Sequence, residues 1–335
     1  MLIATRNCVY SMDDRGQQPP QTRLTQAGLR CVAEGITCYA VAIDNALALW
    51  TQGRLIEVAT GIHEPVESLL ILREDPIVLL IGTEGAHMHR LTLGRGVERV
   101  TSFDELPVRP NWSTPWGGPP AIRSMAKSTD GFVYAAIHVG GVMLSGDGGL
   151  SWEPCGPGID DDVHQVATTP ADPARVYANT RRGVYVSPDR GMTWAYRSQG
   201  ADRQYGRALA VSVGDGELIL ASTSDGPDEE GKDVRAQLLR STDGGASWHA
   251  AGGAFPSSSP RNIDTHQLAI TVDGVAWAAC GQELFVGPRD GQEWLSAWRA
   301  PEPIRMISCA REVWHEGSGD FLSRRNTSDS LAGNP

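Results

Sequence analysis

Seven short apolar segments of the chain each carry one ionisable residue at the same place: Arg30, Glu67, Arg123, His164, Arg207, His266 and Arg305. Such segments ordinarily read as strand, where apolar residues dominate, so seven ionisable side chains in one register point to a common task. Four arginines against one glutamate make the set cationic. Converging guanidiniums can each donate a paired hydrogen bond to a carboxylate or phosphate. His164 and His266 add groups that exchange protons near neutral pH, and with Glu67 they form the candidate acid/base set. A second reading stays open, in which an Arg and Glu network with water merely closes a wet channel.

Nearby turns supply further candidates. Asp44 and Glu84 fall in consecutive repeat units and could set two carboxylates across a groove, as glycoside hydrolysis requires, or could simply cap their own turns. Arg181, Tyr205 and Trp116 add a cation and stacking surface for a ligand, while Trp112 and Trp116 also suit a rigid cover made by the proline-rich segment 101–120. No cofactor is expected. A divalent metal is the lesser alternative, and His138, His164 and His266 are the set nominated for it, although none shows a short metal-binding spacing.

The elements that must position these residues follow from a repeated turn. Ser145-Gly-Asp-Gly-Gly-Leu-Ser-Trp152, Ser187-Pro-Asp-Arg-Gly-Met-Thr-Trp194 and Ser241-Thr-Asp-Gly-Gly-Ala-Ser-Trp248 share one pattern, and Gly287-Pro-Arg-Asp-Gly-Gln-Glu-Trp294 is a displaced copy. In each, a short strand meets an Asp and Gly turn and a Trp opens the next strand. Degenerate turns at Gly16, Gly53 and Gly96 extend the series to seven units of about 45 residues. Each unit also holds a hairpin signal and a preceding apolar strand, so it supplies four strands. The chain is therefore expected to be all-β, a seven-bladed propeller with four-stranded blades. Residues 1–10 read as the second and third strands of a unit whose inner strand is missing. Pro303-Ile-Arg-Met-Ile-Ser308 supplies it, so the two ends are expected to close one blade and hide two sheet edges.

The Ser-x-Asp-x-Gly-x-Ser/Thr-Trp turn resembles the Asp-box of bacterial-neuraminidase-type repeats, found in sialidases, xyloglucan hydrolases, sortilin-type receptors and photosystem II assembly factors. In size and blade number the chain is most similar to the assembly and stability factors, and more distantly to sialidases, whose Arg-Ile-Pro it lacks. The resemblance implies that Asp147, Asp189 and Asp243 are turn residues. Blade topology sets those turns opposite the hairpins between second and third strands, so function is expected on the face away from the boxes. The assembly-factor likeness implies a protein partner held on one face, the cationic set points to a small anionic molecule, and the acid/base His and Glu residues point to the alternative, an enzyme of hydrolase, lyase or cyclase type.

The 335-residue chain has a formal net charge of -11 and a pI near 5.2, which argues against a nucleic-acid partner. No span suits membrane insertion, and Met1 leads directly into a repeat strand, so a cytoplasmic location is expected. The six cysteines lack metal spacing and read as thiols. Residues 1–316 are expected to form one domain, with 317–335 as a flexible tail.

Overall fold

A computed structural model describes residues 1–288 and 291–310. It is an all-β, seven-bladed propeller built of antiparallel sheets of four strands, one of which gains a fifth. The expected tail, 317–335, lies outside the described residues, as does Asp290 of the displaced turn.

The first blade joins both ends of the chain. Met306–Ser308 pairs with Leu2–Ala4, which pairs with Cys8–Ser11 and then Gln21–Thr25. The pairing is narrower than the stretch from Pro303 expected above, because Arg305 lies outside the ladder and donates its N–H to the Ala4 carbonyl. The inner strands of blades two to seven are Leu29–Glu34, Val66–Glu74, Ile122–Lys127, Val163–Thr169, Tyr205–Val211 and Leu268–Ile270. Blade seven gains its fifth strand from Gly252–Gly253, which runs parallel to its outermost strand, Glu293–Arg299. Between blades, alternate strand residues form the core, with Trp277, Trp294, Tyr134 and Tyr177 among the largest side chains sealed there.

The repeated turns show why each motif residue recurs. Asp147 Oδ1 accepts from the N–H groups of Leu150 and Ser151 and from Ser145 Oγ, at 3.0, 2.9 and 2.8 Å. Asp189 and Asp243 repeat the arrangement with Thr193 and Ser247. The indoles of Trp152 and Trp194 donate back to the Gly149 and Gly191 carbonyls at 3.1 Å, and Trp294 does the same to Gly291 at 3.0 Å. Trp248 departs from its fellows and donates to the Arg197 carbonyl of the preceding blade.

A different irregularity marks the opposite face. The pairing of the inner strands slips between Leu29 and Cys31, Val66 and Ser68, Ile122 and Ser124, Val163 and Gln165, and Gly206 and Leu209. These are β-bulges, and a bulge frees one residue from the ladder and re-aims its side chain. The freed residues are Arg30, Glu67, Arg123 and His164, and in blade six Arg207 with Ala208. In blade seven His266 precedes the inner strand with φ of +65°, a left-handed conformation that a histidine adopts more readily than most residues.

No helix of the described residues is long and apolar enough to cross a membrane. The six cysteines form no disulfide among them.

Candidate functional site

The bulges distribute the seven registered residues between two neighbouring places. A cavity of about 320 Å³ at the channel mouth is bordered by Arg30, Glu67, Arg123, His266 and Arg305, together with Asp264. Arg30 and Glu67 form an ion pair there. Arg305 is exposed and reaches the Leu29 carbonyl at 3.4 Å. Arg123 is half-buried, and loss of solvent together with the Arg207 charge holds its guanidinium below the usual range. His266 donates its backbone N–H to the Gln165 side-chain oxygen at 2.9 Å. A larger cavity of about 850 Å³ continues along the axis toward the box face and shares His266 and Met306 with the first.

Arg207 and His164 do not border the mouth. Arg207 donates to Asp264 at 2.8 Å and lies over the Tyr205 ring. Burial works against its charge, but Asp264 and Tyr205 outweigh that and keep its pKa above the usual value. Asp264 keeps 45% of its side chain open to the channel. Burial raises its pKa, but Arg207, the Thr265 N–H and Arg123 outweigh this and hold it below the ordinary aspartate value.

His164 is fully buried and belongs to the second place, a polar cluster with His138 and Asp162. Asp162 stands two residues before His164, just ahead of the strand that begins at Val163, and the bulge at His164 re-aims that ring. His138 follows the second strand of blade four, Val133–Ile137, and donates its backbone N–H to the Ala121 carbonyl. His164 Nε2 is 3.3 Å and His138 Nε2 is 3.5 Å from Asp162 Oδ1. The three ligand-type atoms lie within 4.8 Å of one another.

The protonation pattern of this cluster is set by its partners. His164 Nδ1 faces the Gly206 carbonyl at 2.6 Å, so the ring proton sits on Nδ1 and Nε2 carries the lone pair, 3.3 Å from Asp162 Oδ1. Burial, then the charges of Arg207 and Arg123, hold His164 well below its ordinary pKa. Burial with Arg123 and Arg207 pushes His138 down to about 3. Both imidazoles are therefore neutral at pH 7. Burial raises the pKa of Asp162. Among the described residues Asp162 Oδ1 accepts no hydrogen bond, although two ring nitrogens stand near it. The short distances bring heteroatoms together without a donor aimed at the carboxylate.

Aromatic rings wall this cluster. The Trp116 ring lies 5.2 Å from that of His138 and keeps 67% of its surface open, while Tyr205 Oη is 3.4 Å from His164 Nε2. Trp112, from the same segment 101–120 as Trp116, is buried against Phe103.

Of the remaining sequence candidates, Asp44 is exposed, with its carboxylate close against Gly28, and Glu84 donates its N–H to the Pro65 carbonyl of its own blade. Arg181 is held by Asp160 at 3.1 Å and by Asp161 at 3.6 Å. The three nominated histidines do not gather: the cluster keeps His138 and His164 and takes Asp162 in place of His266. This group can hold a divalent metal or exchange protons. Asp162 and Asp264 escaped sequence reasoning. A signal was present, since Asp162-Val-His-Gln165 and Asp264-Thr-His-Gln267 repeat one pattern two blades apart.

No family model matches the chain, and no curated protein matches it. Similar solved structures include an ancestral GH74 enzyme, with TM-score 0.64 and 16% identity over 81% of this chain and 39% of that one. YCF48 bound to D1 peptide gives 0.54 and 14%, covering 90% and 92% of the two chains. The WD40 propeller domain of Doa1 gives 0.54 and 10%, covering 92% and 87%. At these identities the likeness shows the propeller fold, shared by several superfamilies, and does not single out the Asp-box family that the turns resemble. This chain spans 39% of the length of the GH74 enzyme.

Proposed function

We propose that this propeller is an enzyme acting on a small anionic molecule at the face away from the boxes, with His138, Asp162 and His164 as its chemical centre. The observation that carries the reading is a buried carboxylate without a hydrogen bond on Oδ1, placed 3.3 and 3.5 Å from two neutral imidazoles. Structural carboxylates are normally satisfied, so an orphaned one facing lone pairs marks a place where a proton or cation is exchanged. Arg123 and the channel-mouth arginines hold a carboxylate or phosphate of the substrate. Trp116 and Tyr205 cover its apolar part. Glu67 and His266 border the anion cavity and act in binding or in a relay along it rather than at the buried centre.

The second reading is a binding propeller without chemistry, and the exposed Trp116 together with Arg30 and Arg305 on the same face favours it. In that case a peptide or small anion is retained unchanged, as fits a fold also seen in YCF48 bound to D1 peptide. A turnover screen of carboxylated and phosphorylated small molecules, read by mass spectrometry on the full chain, separates the two. Conversion by the wild type that is lost in Asp162→Asn supports the enzyme. Conversion unaffected by that change, or retention of a compound without conversion, overturns it.

A further inference from the structure

We infer that His138 Nε2, Asp162 Oδ1 and His164 Nε2 bind one divalent transition-metal ion, leaving a fourth position open beside Tyr205 and Trp116. The inference deepens the enzyme reading, since it concerns the same side chains, but metal content rather than turnover decides it.

Three features converge. First, metal to nitrogen or oxygen bonds of about 2.0–2.2 Å place adjacent corners of a tetrahedron about 3.3–3.6 Å apart. The two imidazole nitrogens stand 3.3 and 3.5 Å from the carboxylate oxygen. Second, His164 has the orientation of a ligand. Its Nδ1–H is spent on the Gly206 carbonyl at 2.6 Å, the outer contact that metal-bound histidines usually make, and this fixes the ring with Nε2 3.3 Å from Asp162 Oδ1 and 3.4 Å from the Tyr205 hydroxyl, a weak donor that an ion would replace. Third, Asp162 Oδ1 is sealed from solvent and accepts no hydrogen bond among the described residues. A lone pair and a carboxylate at such separation repel unless a positive species lies between them.

Two imidazoles with one carboxylate favour zinc or cobalt over magnesium or calcium, which prefer sets made wholly of oxygen. The neighbouring cations are largely answered: Asp264 holds Arg207 at 2.8 Å, and Asp160 holds Arg181 at 3.1 Å. Arg123 borders the neighbouring channel-mouth cavity. The competing account is a proton shared between Asp162 and His164, which needs no metal.

The test uses the full chain stripped with chelator, then titrated with Zn(II) or Co(II) under calorimetric and visible-absorption readout. One ion per chain and the intense visible bands of tetrahedral Co(II) are expected. Asp162→Asn and His138→Gln should weaken binding at least about 100-fold, and His266→Gln should leave it intact. X-ray absorption on the wild-type Zn(II) form should show two imidazoles in the coordination shell, an observation that stands even if a variant fails to fold. Absence of stoichiometric binding, binding unchanged in Asp162→Asn, or dependence on His266 instead of Asp162 overturns the site. Metal binding without turnover would sink the enzyme reading alone.

Discussion

Asp147, in a box turn, and Asp162, beneath the opposite face, are the same residue type in contrary circumstances. Asp147 accepts from two backbone N–H groups and two hydroxyls. Burial raises its pKa, but those donors win and the carboxyl stays below its ordinary range. Asp243 has the same company and is likewise lowered, chiefly by Ser247. Asp162 is raised by burial, and its Oδ1 looks at two ring nitrogens that do not donate to it. A carboxylate whose lone pairs are consumed by the chain's own donors has nothing left for a ligand. One held dry and unsatisfied keeps its full capacity for a proton or metal. One side of the disc therefore holds aspartates consumed by their own turns, and the other holds one still capable of metal or acid/base chemistry.

The largest effect expected from this contrast is on turnover. Asp162→Asn keeps the shape but removes the charge, and should lower kcat by about 10²–10⁴-fold. In metal-stripped protein the melting temperature should hold or rise, because a buried ionisable group without a hydrogen bond on Oδ1 is lost. Steady-state rates, with thermal unfolding after chelator treatment, check both. A large drop in stability of the stripped protein would make Asp162 a second architectural aspartate and break the comparison.

Anion binding gives the next largest effect. Arg123→Met should weaken binding of inorganic phosphate, measured by titration calorimetry, about 10–100-fold, the range of one charge-assisted contact of about 1.5–3 kcal/mol. Arg305→Met should cost less, since Arg305 is exposed and its charge is screened. Arg240→Met, in the strand before a box, should change nothing. Equal affinities for all three variants and the wild type would remove the arginines from the site.

The two faces should also fail in different pH windows. His138 has its pKa moved from 6.5 to about 3, so the unfolded chain binds more protons between those values. The stability that depends on neutral His138 is complete above pH 6.5 and is lost as pH falls toward 3. His164 is displaced in the same direction and adds to the loss. The box aspartates are lowered from 3.8, and their contribution disappears only below that value. Denaturant unfolding from pH 7 to 4.5 should therefore show a decline that His138→Gln reduces and Asp147→Ala leaves in place. An identical decline in His138→Gln would show that the cluster does not titrate as its burial requires.

The fold was legible because its signals are local and repeat. Each box carries its own acceptor, glycine and Trp, and the incomplete first unit announces that its inner strand comes from the other end of the chain. The registered ionisable residues were legible as a set because the propeller repeats one backbone position. Their division was not, since a bulge frees a side chain without dictating whether it enters the channel or turns between blades. For His164 that choice is made by the Gly206 carbonyl and for Arg207 by Asp264, both contacts between separate blades. Asp162 was hidden by its neighbours: Asp160-Asp-Asp162 reads as a solvated acidic run, yet its last member is buried while Asp161 is exposed. The repeated Asp-x-His-Gln pattern was the one cue that set it apart.

The smallest effect falls on the architectural side. Asp147→Ala removes the acceptor for two turn amides, but the turn is exposed and water can replace part of what is lost. The expected cost is about 1 kcal/mol, the lower part of the range for an unmet donor. The inner strands are separated from this turn by the rest of the blade, so phosphate affinity and metal content should equal those of the wild type in the folded fraction. Denaturant unfolding followed by calorimetry on the folded protein provides both readings. Loss of phosphate or metal binding at unchanged stability would transfer function to the box face, because a turn that only holds its own amides has no means of altering a site across the disc.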